Sequence, residues 1–526
     1  MNQIYIYDTT LRDGCQAEGI AFSVEDKLMI ARRLDDLGVA YIEGGWPNPT
    51  SPKDREFFQR AADLPWTTAK LAAFGSTRRA DIAPEDDTNL LDLVASRAPV
   101  VTIFGKSWDL HVTEVLRTTL DENLRMIEDS IAWLKTQVPE VIFDAEHFFD
   151  GYFADPSFAL NCLRAAVQGG ADALVLCDTN GGILPDRVAE VVRVVGAEFT
   201  TALGIHCHND AGTAVASSLL ALQAGCVQVQ GTINGFGERT GNANLCTIIP
   251  NVELKLGRPC LPPGKLAEVT AVSHFVSEIA NVMPDHRSPY VGSSAFAHKG
   301  GMHVNAVLKR PESFEHITPE TVGNERRILV SDYSGSSTIL NKLQKVWPDL
   351  DRKDPIVGQV LEEVKALENR GFQFEAAEGS LALLARRLRG ELETMFQLHG
   401  YRVNIIKADD EAEPVSEATV KVSIGDQEEH TAAEGSGPVN ALDNALRKAL
   451  VRLFPKLANL QLIDYKVRVL SADEGTATGV RVLIETTDGV DTWGTVGVHA
   501  NIIEASWQAL VDAIIYGLVK NGRESS

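Results

Sequence analysis

Eight β-rich runs, each followed by a helix-sized spacer, fill roughly the first 250 residues, and nothing else in the chain restricts the fold so strongly. They read IYIYD (4–8), VAYIEGG (39–45), KLAAFG (70–75), VVTIFG (100–105), VIFDAEH (141–147), ALVLCD (173–178), LGIHCH (203–208) and VQVQGTI (227–233). The first spacer carries a helix's signature. Ser23 is placed to cap it, Leu28, Ala31, Leu34 and Leu37 recur at helical spacing, and Gly38 is a stop. Such alternation predicts an α/β fold with a parallel sheet, either a closed (β/α)8 TIM barrel or an open doubly wound sheet. No G-x-G-x-x-G follows the first run, so the barrel is preferred.

In a barrel of this kind the chemistry gathers at the C-terminal ends of the strands. Polar residues fall there repeatedly: Arg12 and Asp13 after the first run, Glu43 in the second, Lys106 after the fourth, Glu146 in the fifth, and Asp178 and Thr179 at the end of the sixth. His206 and His208 end the seventh, and GFGERTGNAN (235–244) follows the eighth. Residues two apart on a strand share a face, so both imidazoles can point to the barrel mouth while Cys207 points away. Asp13 and Asn242 sit at the ends of runs near the seventh and can add a carboxylate and an amide oxygen. Such a mixed set accepts a divalent ion, whether Mn, Zn, Mg or Fe. The competing reading is a structural histidine pair hydrogen-bonded in its loop.

The formal charge of −23 argues against a nucleic-acid partner or an anionic membrane surface. Seven cysteines without a C-x-x-C pair fit reduced thiols better than a disulfide framework. The start, MNQIYIYDTTLRDG, has no basic segment followed by a cleavable apolar stretch, and no apolar run reaches the roughly 18 residues of a membrane helix. A soluble cytoplasmic protein is expected.

Past the barrel, expected over 1–265, the alternation breaks at GRPCLPPGK (257–265). Residues 266–400 read as helical linker subdomains with loops, including the Gly-rich GSSAFAHKGGMHVN (292–305), expected as a mobile loop. Residues 401–526 hold a diffuse repeat: 418–450 and 479–514 each run from a β-rich stretch through a Gly-bearing turn to an amphipathic helix. An α+β domain with pseudo-twofold symmetry is expected there.

Three long stretches, DTTLRDGCQAEG (8–19), HCHNDAGTA (206–214) and GTINGFGERTGNANL (231–245), resemble the metal-dependent acyl-CoA-condensing barrels: the isopropylmalate, homocitrate and citramalate synthases. The resemblance covers essentially the whole chain. EGGWPNPTSPKDREFF (43–58), DAEHFFDGY (144–152) and LCDTNGG (176–182) are most similar to the citramalate-synthase branch. It implies metal ligands at Asp13, His206, His208 and Asn242, a catalytic glutamate at Glu146, and Thr179 on the acceptor carboxylate. It also implies that His303 assists proton transfer or thioester hydrolysis, in a homodimer whose linker reaches the partner's barrel. Arg12 would place positive charge where a keto oxygen becomes an alkoxide, or else form a rim salt bridge. Glu146 has its own alternative, a generic buried carboxylate at a strand end.

The implied reaction is an acyl transfer in which the acyl group becomes alkyl: acetyl-CoA, pyruvate and water give (R)-citramalate and CoA, on the route to isoleucine. The tail resembles the leucine- or isoleucine-sensing domain of such synthases, so isoleucine or leucine is the expected feedback effector. The alternatives are a 2-isopropylmalate synthase using 2-oxoisovalerate for leucine, and a non-catalytic amino-acid sensor.

Overall fold

Each of the eight runs forms a strand, and the strands close in chain order: β1 (Tyr5–Asp8), β2 (Tyr41–Gly45), β3 (Lys70–Ser76), β4 (Val100–Lys106), β5 (Glu140–Glu146), β6 (Ala173–Asp178), β7 (Ala202–Cys207) and β8 (Gln228–Gly231). Neighbours are parallel, and β8 returns to β1 with Gly231 opposite Asp8. The expected (β/α)8 barrel is the observed one. The computed structural model describes residues 3–330, 335–470 and 479–521. Two units make up the chain: Met1–Phe296 with Ile317–Arg326, and Ala297–His316 with Arg327–Ser526.

The first helix, Val24–Leu37, shows how local sequence specifies the barrel. The Ser23 hydroxyl accepts from the Asp26 N–H at 3.2 Å while the Asp26 carboxylate accepts from the Ser23 N–H at 2.8 Å, a reciprocal cap that satisfies two free amides. Leu28, Ala31, Leu34 and Leu37 are buried, and truncating a leucine such as Leu34 to alanine costs about 2–5 kcal/mol. Gly38 ends the helix at φ 95°, and a Cβ there would lie 2.2 Å from Pro262.

Strand pleating sorts the barrel residues. Ile6, Ile42, Leu71, Val101, Val141, Leu174, Leu203 and Val229 face the helices. Tyr7, Tyr41, Ala72, Val100, Ile142, Ala173 and Val175 fill the interior. Nearer the strand ends, the inward rows of β2, β4, β5, β7 and β8 reach Glu43, Thr102, Asp144, His206 and Gln230, all buried. The interior is therefore apolar toward the strand starts and polar toward the strand ends, which is where the site lies.

The first unit runs past the boundary expected at 265, because Val269, Val272 and Val276 of helix Val269–Ile279 join the barrel's apolar core. Residues 266–400 are thus divided between the two units rather than forming their own. In the second unit β9 (Ala297–His298) pairs with β10 (Arg327–Ile328). The Gly-rich segment differs from the expected loop: Gly301–Lys309 is a helix, held by buried Val304 and Val307 three residues apart.

The repeat is borne out as two like modules. One has β11 (Gln397–Ile406), β12 (Val415–Ile424), β13 (Gln427–Gly435) and helix Pro438–Leu450; the other has β14 (Gln461–Val469), β15 (Val480–Thr487), β16 (Thr492–His499) and helix Ile502–Asn521. Each is a three-stranded antiparallel sheet, and each first strand bulges near its start, at Leu398/Gly400 and Leu462/Asp464. One expectation needs correction. The stretch Ile502–Lys520 is long and apolar enough, by length and composition, to cross a membrane. Glu504, Gln508 and Asp512 interrupt it and hid this in the sequence. Half of it is buried within the structure, and Asp512 accepts from Ser380 at 2.7 Å and Arg387 at 2.5 Å.

Candidate metal centre and active site

The barrel mouth gathers Asp13, His206 and His208 around one point. Asp13 Oδ2 is 3.3 Å from His206 Nε2 and 3.7 Å from His208 Nε2. The imidazole centroids are 5.1 Å apart, and one ligand atom from each of the three buried residues lies within 4.8 Å of the others. The pleat of β7 turns both histidines inward. A tight turn after β1 delivers Asp13, whose N–H donates to Thr9 Oγ1 at 3.3 Å. Asn242 is set beside His208 by an isolated antiparallel bridge, flanked by Asn209 N–H donating to Gly241 O at 2.9 Å and Ala243 N–H to Cys207 O at 3.0 Å.

Three buried polar atoms here have no hydrogen-bond partner: Asp13 Oδ1, His208 Nδ1 and Asn242 Oδ1. Each such orphan costs about 1–3 kcal/mol. A divalent cation would satisfy the two oxygens, and the donor set of two imidazoles, a carboxylate and an amide oxygen suits one. The residues present therefore fit a metal ion. Burial opposes ionisation of Asp13, but Arg12, His206 and His208 outweigh it and hold the carboxyl well below its usual range. Burial and the neighbouring His206 push His208 down to about 4, leaving its imidazole neutral, as a ligand must be.

Arg12 is both ion-paired and exposed to the cavity. Its Nε donates to Glu43 Oε1 at 2.5 Å, its Nη1 lies 3.4 Å from Asp13 Oδ2, and its guanidinium carbon stands 3.7 Å over the Phe74 ring. Burial works against this charge, and Glu43 and Asp13 more than offset it. Glu43 also accepts from the Tyr7 hydroxyl at 2.7 Å, which shares a second hydrogen bond with Thr102 at 2.8 Å. Beside them Asp144 accepts from Gln230 Nε2 at 3.0 Å, and Gln230 Oε1 meets His206 Nδ1 at 2.9 Å. Burial and then Glu43 push the Asp144 carboxyl up to about 7.

Above this floor opens a cavity of about 240 Å³, smaller than the roughly 300–1,000 Å³ of pockets for drug-sized ligands. Arg12, Asp13, Glu146, Thr179, His206 and His208 all line it. Its apolar side is a three-ring wall: Phe74 stacks on Phe104 at 5.5 Å, and Trp46 meets both edge-on at 5.9 and 5.7 Å. Glu146 pairs with Lys106, its register partner on β4. Thr179 Oγ1 accepts from the His147 N–H at 2.9 Å, and its carbonyl accepts from Arg239 at 2.8 Å. His303 belongs to the second unit, where its ring stacks on Phe314 with centroids 4.2 Å apart.

Sequence reasoning missed Gln230, the aromatic wall and the role of Glu43 as the partner of Arg12. Counting by twos along β8 from Gln228 would have found Gln230, which lies in register with His206. Nothing in the sequence pairs residues 43 and 12 or brings the rings of Trp46, Phe74 and Phe104 together.

A family model described as HMGL-like matches residues 3–276, one described as homocitrate synthase post-HMGL domain-like matches 290–371, and one described as LeuA allosteric (dimerisation) domain matches 375–518. An (R)-citramalate synthase of Aquifex aeolicus is 55% identical over 523 residues, covering 99% of each chain. The chain belongs to the (R)-citramalate synthase family. A second member of the (R)-citramalate synthase family, from Geobacter sulfurreducens, is 54% identical over 521 residues, 99% of this chain and 98% of that one. A probable 2-isopropylmalate synthase of Methanopyrus kandleri is 29% identical over 513 residues, 98% of each chain. The branch read from residues 43–58, 144–152 and 176–182 is the one these relatives support.

Proposed function

We propose that the chain is an acyltransferase that condenses acetyl-CoA with pyruvate and water to give (R)-citramalate and CoA, a reading supported by relatives named (R)-citramalate synthase. The observation that carries the reading is the convergence of Asp13, His206 and His208 beside the Arg12 guanidinium, in a small cavity walled by aromatic rings. Asp13, His206, His208 and Asn242 would hold a divalent ion. Bound there, the ion supplies Lewis acidity and a template for the carboxylate and keto oxygens of a 2-oxo acid. Arg12, fixed by Glu43, adds positive charge where the keto oxygen becomes an alkoxide. The Thr179 oxygen already accepts from the His147 N–H, so its own hydrogen is directed elsewhere and is suited to the acceptor carboxylate.

Glu146 is the proposed base that removes a proton from the acetyl methyl group, with Lys106 balancing its charge before substrate arrives. The resulting enolate carbon attacks the keto carbon. Water then cleaves the thioester and CoA leaves as a thiol, which drives the overall conversion. His303 is proposed to share in proton transfer or in that hydrolysis, within a homodimer. The rings of Trp46, Phe74 and Phe104 form the apolar side of the cavity, against which the methyl group of pyruvate is proposed to sit. The C-terminal modules, matched as an allosteric dimerisation domain, are proposed to bind isoleucine or leucine as feedback effector. We place the enzyme in the cytoplasm.

Release of free CoA thiol from acetyl-CoA tests the reading, in metal-stripped and metal-restored protein, with pyruvate, 2-oxobutyrate and 2-oxoisovalerate in parallel. Metal-dependent release that is fastest with pyruvate supports it. Preference for 2-oxoisovalerate would make the protein a 2-isopropylmalate synthase, and no release with any acid would leave an amino-acid sensor. Isoleucine and leucine added separately to the working assay identify the effector.

A further inference from the structure

The two histidines of the centre are held differently. His208 Nδ1 is buried with no partner, whereas His206 Nδ1 is 2.9 Å from Gln230 Oε1. Gln230 is fully buried and lies in register with His206 on the neighbouring strand. Its other end donates from Nε2 to Asp144 Oδ1 at 3.0 Å, and Asp144 is itself 4% exposed. Three strands, β5, β7 and β8, thus contribute to one line of polar contacts running Asp144, Gln230, His206, Asp13.

Donor and acceptor roles propagate along that line. Above about pH 7, where its raised carboxyl is ionised, Asp144 only accepts, so the amide NH2 of Gln230 faces it. The amide oxygen is then turned to His206, and because an oxygen only accepts, Nδ1 must carry the hydrogen. A neutral imidazole with hydrogen on Nδ1 has its lone pair on Nε2, the atom 3.3 Å from Asp13 Oδ2. A reversed amide would set carbonyl oxygen against the ionised carboxylate and lose that bond, and its NH2 could meet only the opposite tautomer, with Nδ1 bare. Asp144 therefore selects the amide's orientation, and the amide selects the tautomer.

We infer that Asp144 and Gln230 are positioning residues that fix the ring and tautomer of His206 for a divalent ion, making His206 the pre-oriented ligand. The inference rests on the metal site proposed above. A neutral amide suits position 230 because Asp13, Glu43 and Asp144 already put three carboxyl groups in this buried region. Gln230 transmits orientation without adding a fourth.

The test uses full-length, metal-stripped protein and titrates Mn²⁺ and Zn²⁺ into wild type, Gln230→Leu, Asp144→Ala and Asp144→Asn. Ring nitrogen resonances of His206 are recorded alongside. Gln230→Leu is expected to weaken metal binding about 10–100-fold, the usual effect of losing a partner behind a ligand. Asp144→Ala, which frees the amide to rotate, is expected to show a smaller loss. Asp144→Asn offers Gln230 a donor as well as an acceptor, so it no longer selects the amide's orientation and is expected to lose affinity as Asp144→Ala does. It also serves as the variant that preserves packing if the others fold poorly. Metal affinities of Gln230→Leu and Asp144→Ala both within about twofold of wild type overturn the inference. So does a His206 ring with its hydrogen on Nε2 and none on Nδ1 in the metal-free wild type. If wild type binds no ion, the reading of the site fails, and the tautomer still decides whether the relay exists.

Discussion

Removing the Glu43 carboxylate probes the buried layer beneath the site. Glu43 is fully buried, accepts from Arg12 at 2.5 Å and from Tyr7 at 2.7 Å, and therefore compensates one charge and one hydroxyl. Deleting one partner of a buried ion pair costs about 3–5 kcal/mol. Arg12 keeps Asp13 at 3.4 Å and the Phe74 face at 3.7 Å, which places Glu43→Ala toward the lower end, about 3 kcal/mol. Glu43→Gln retains an acceptor for Arg12, and its NH2 can donate to Tyr7, whose hydrogen then goes to Thr102. The loss is one charged hydrogen bond turned neutral, about 1–2 kcal/mol. Urea unfolding of metal-free protein, with hydrogen exchange of β1 and β2 amides to localise the effect, measures both. Arg12→Ala and the Arg12→Ala/Glu43→Ala double variant complete a cycle whose coupling should exceed about 1 kcal/mol. Equal stability of the Ala and Gln variants, or additivity within about 0.5 kcal/mol, would refute the reasoning.

Other outcomes follow from the same structure. Asp8, fully buried with its carboxylate on the Thr10 N–H and hydroxyl at 2.9 Å each, has its pKa pushed by burial from 3.8 to about 7. The native state then binds a proton that the unfolded chain has released, so stability should fall as pH rises from about 4 to 7 and level off above. Asp8→Asn should flatten that slope by on the order of 2–4 kcal/mol, read as urea midpoints at pH 5 and 8. Gly241 sits at φ +92° with the Gly235 carbonyl 2.0 Å from where a Cβ would be. Gly241→Ala should therefore shift Asn242 and weaken Mn²⁺ binding measured by titration, and unchanged affinity would remove Asn242 from the ligand set. Chelation followed by dialysis should abolish pyruvate-dependent thiol release, with recovery on adding back a divalent ion. Arg12→Lys keeps the charge but loses the fork to Glu43 and Asp13, and should lower kcat by about 10²–10³ with a smaller change in KM.

Much of the fold was legible because its signals are local. Periodicity marked every barrel strand to within three residues of its observed ends, the Ser23 cap and Gly38 stop were visible in a few letters, and the tail's repeat announced two like modules. The extra first strands β11 and β14 leave little mark in the sequence, since largely exposed residues give a weak pattern. The helix at Gly301–Lys309 reads as a loop in the sequence because Gly300 and Gly301 open it, and only burial of Val304 and Val307 reveals what holds it. Among site residues, those at strand ends were readable from position, whereas their partners came from other strands.

Alternation of strand and helix, motif order and the positions of Arg12, Asp13, Glu146, Thr179, His206 and His208 along the chain were set by sequence alone, because each depends on neighbours within a few residues. Tertiary structure decided which distant side chains meet: Glu43 with Arg12, Gln230 between Asp144 and His206, and the rings of Trp46, Phe74 and Phe104. Closing a sheet into a cylinder joins residues 24 to 86 positions apart, from different strands, at fixed register. Hydrogen bonds in that low-dielectric interior are strong or costly according to the partner found there.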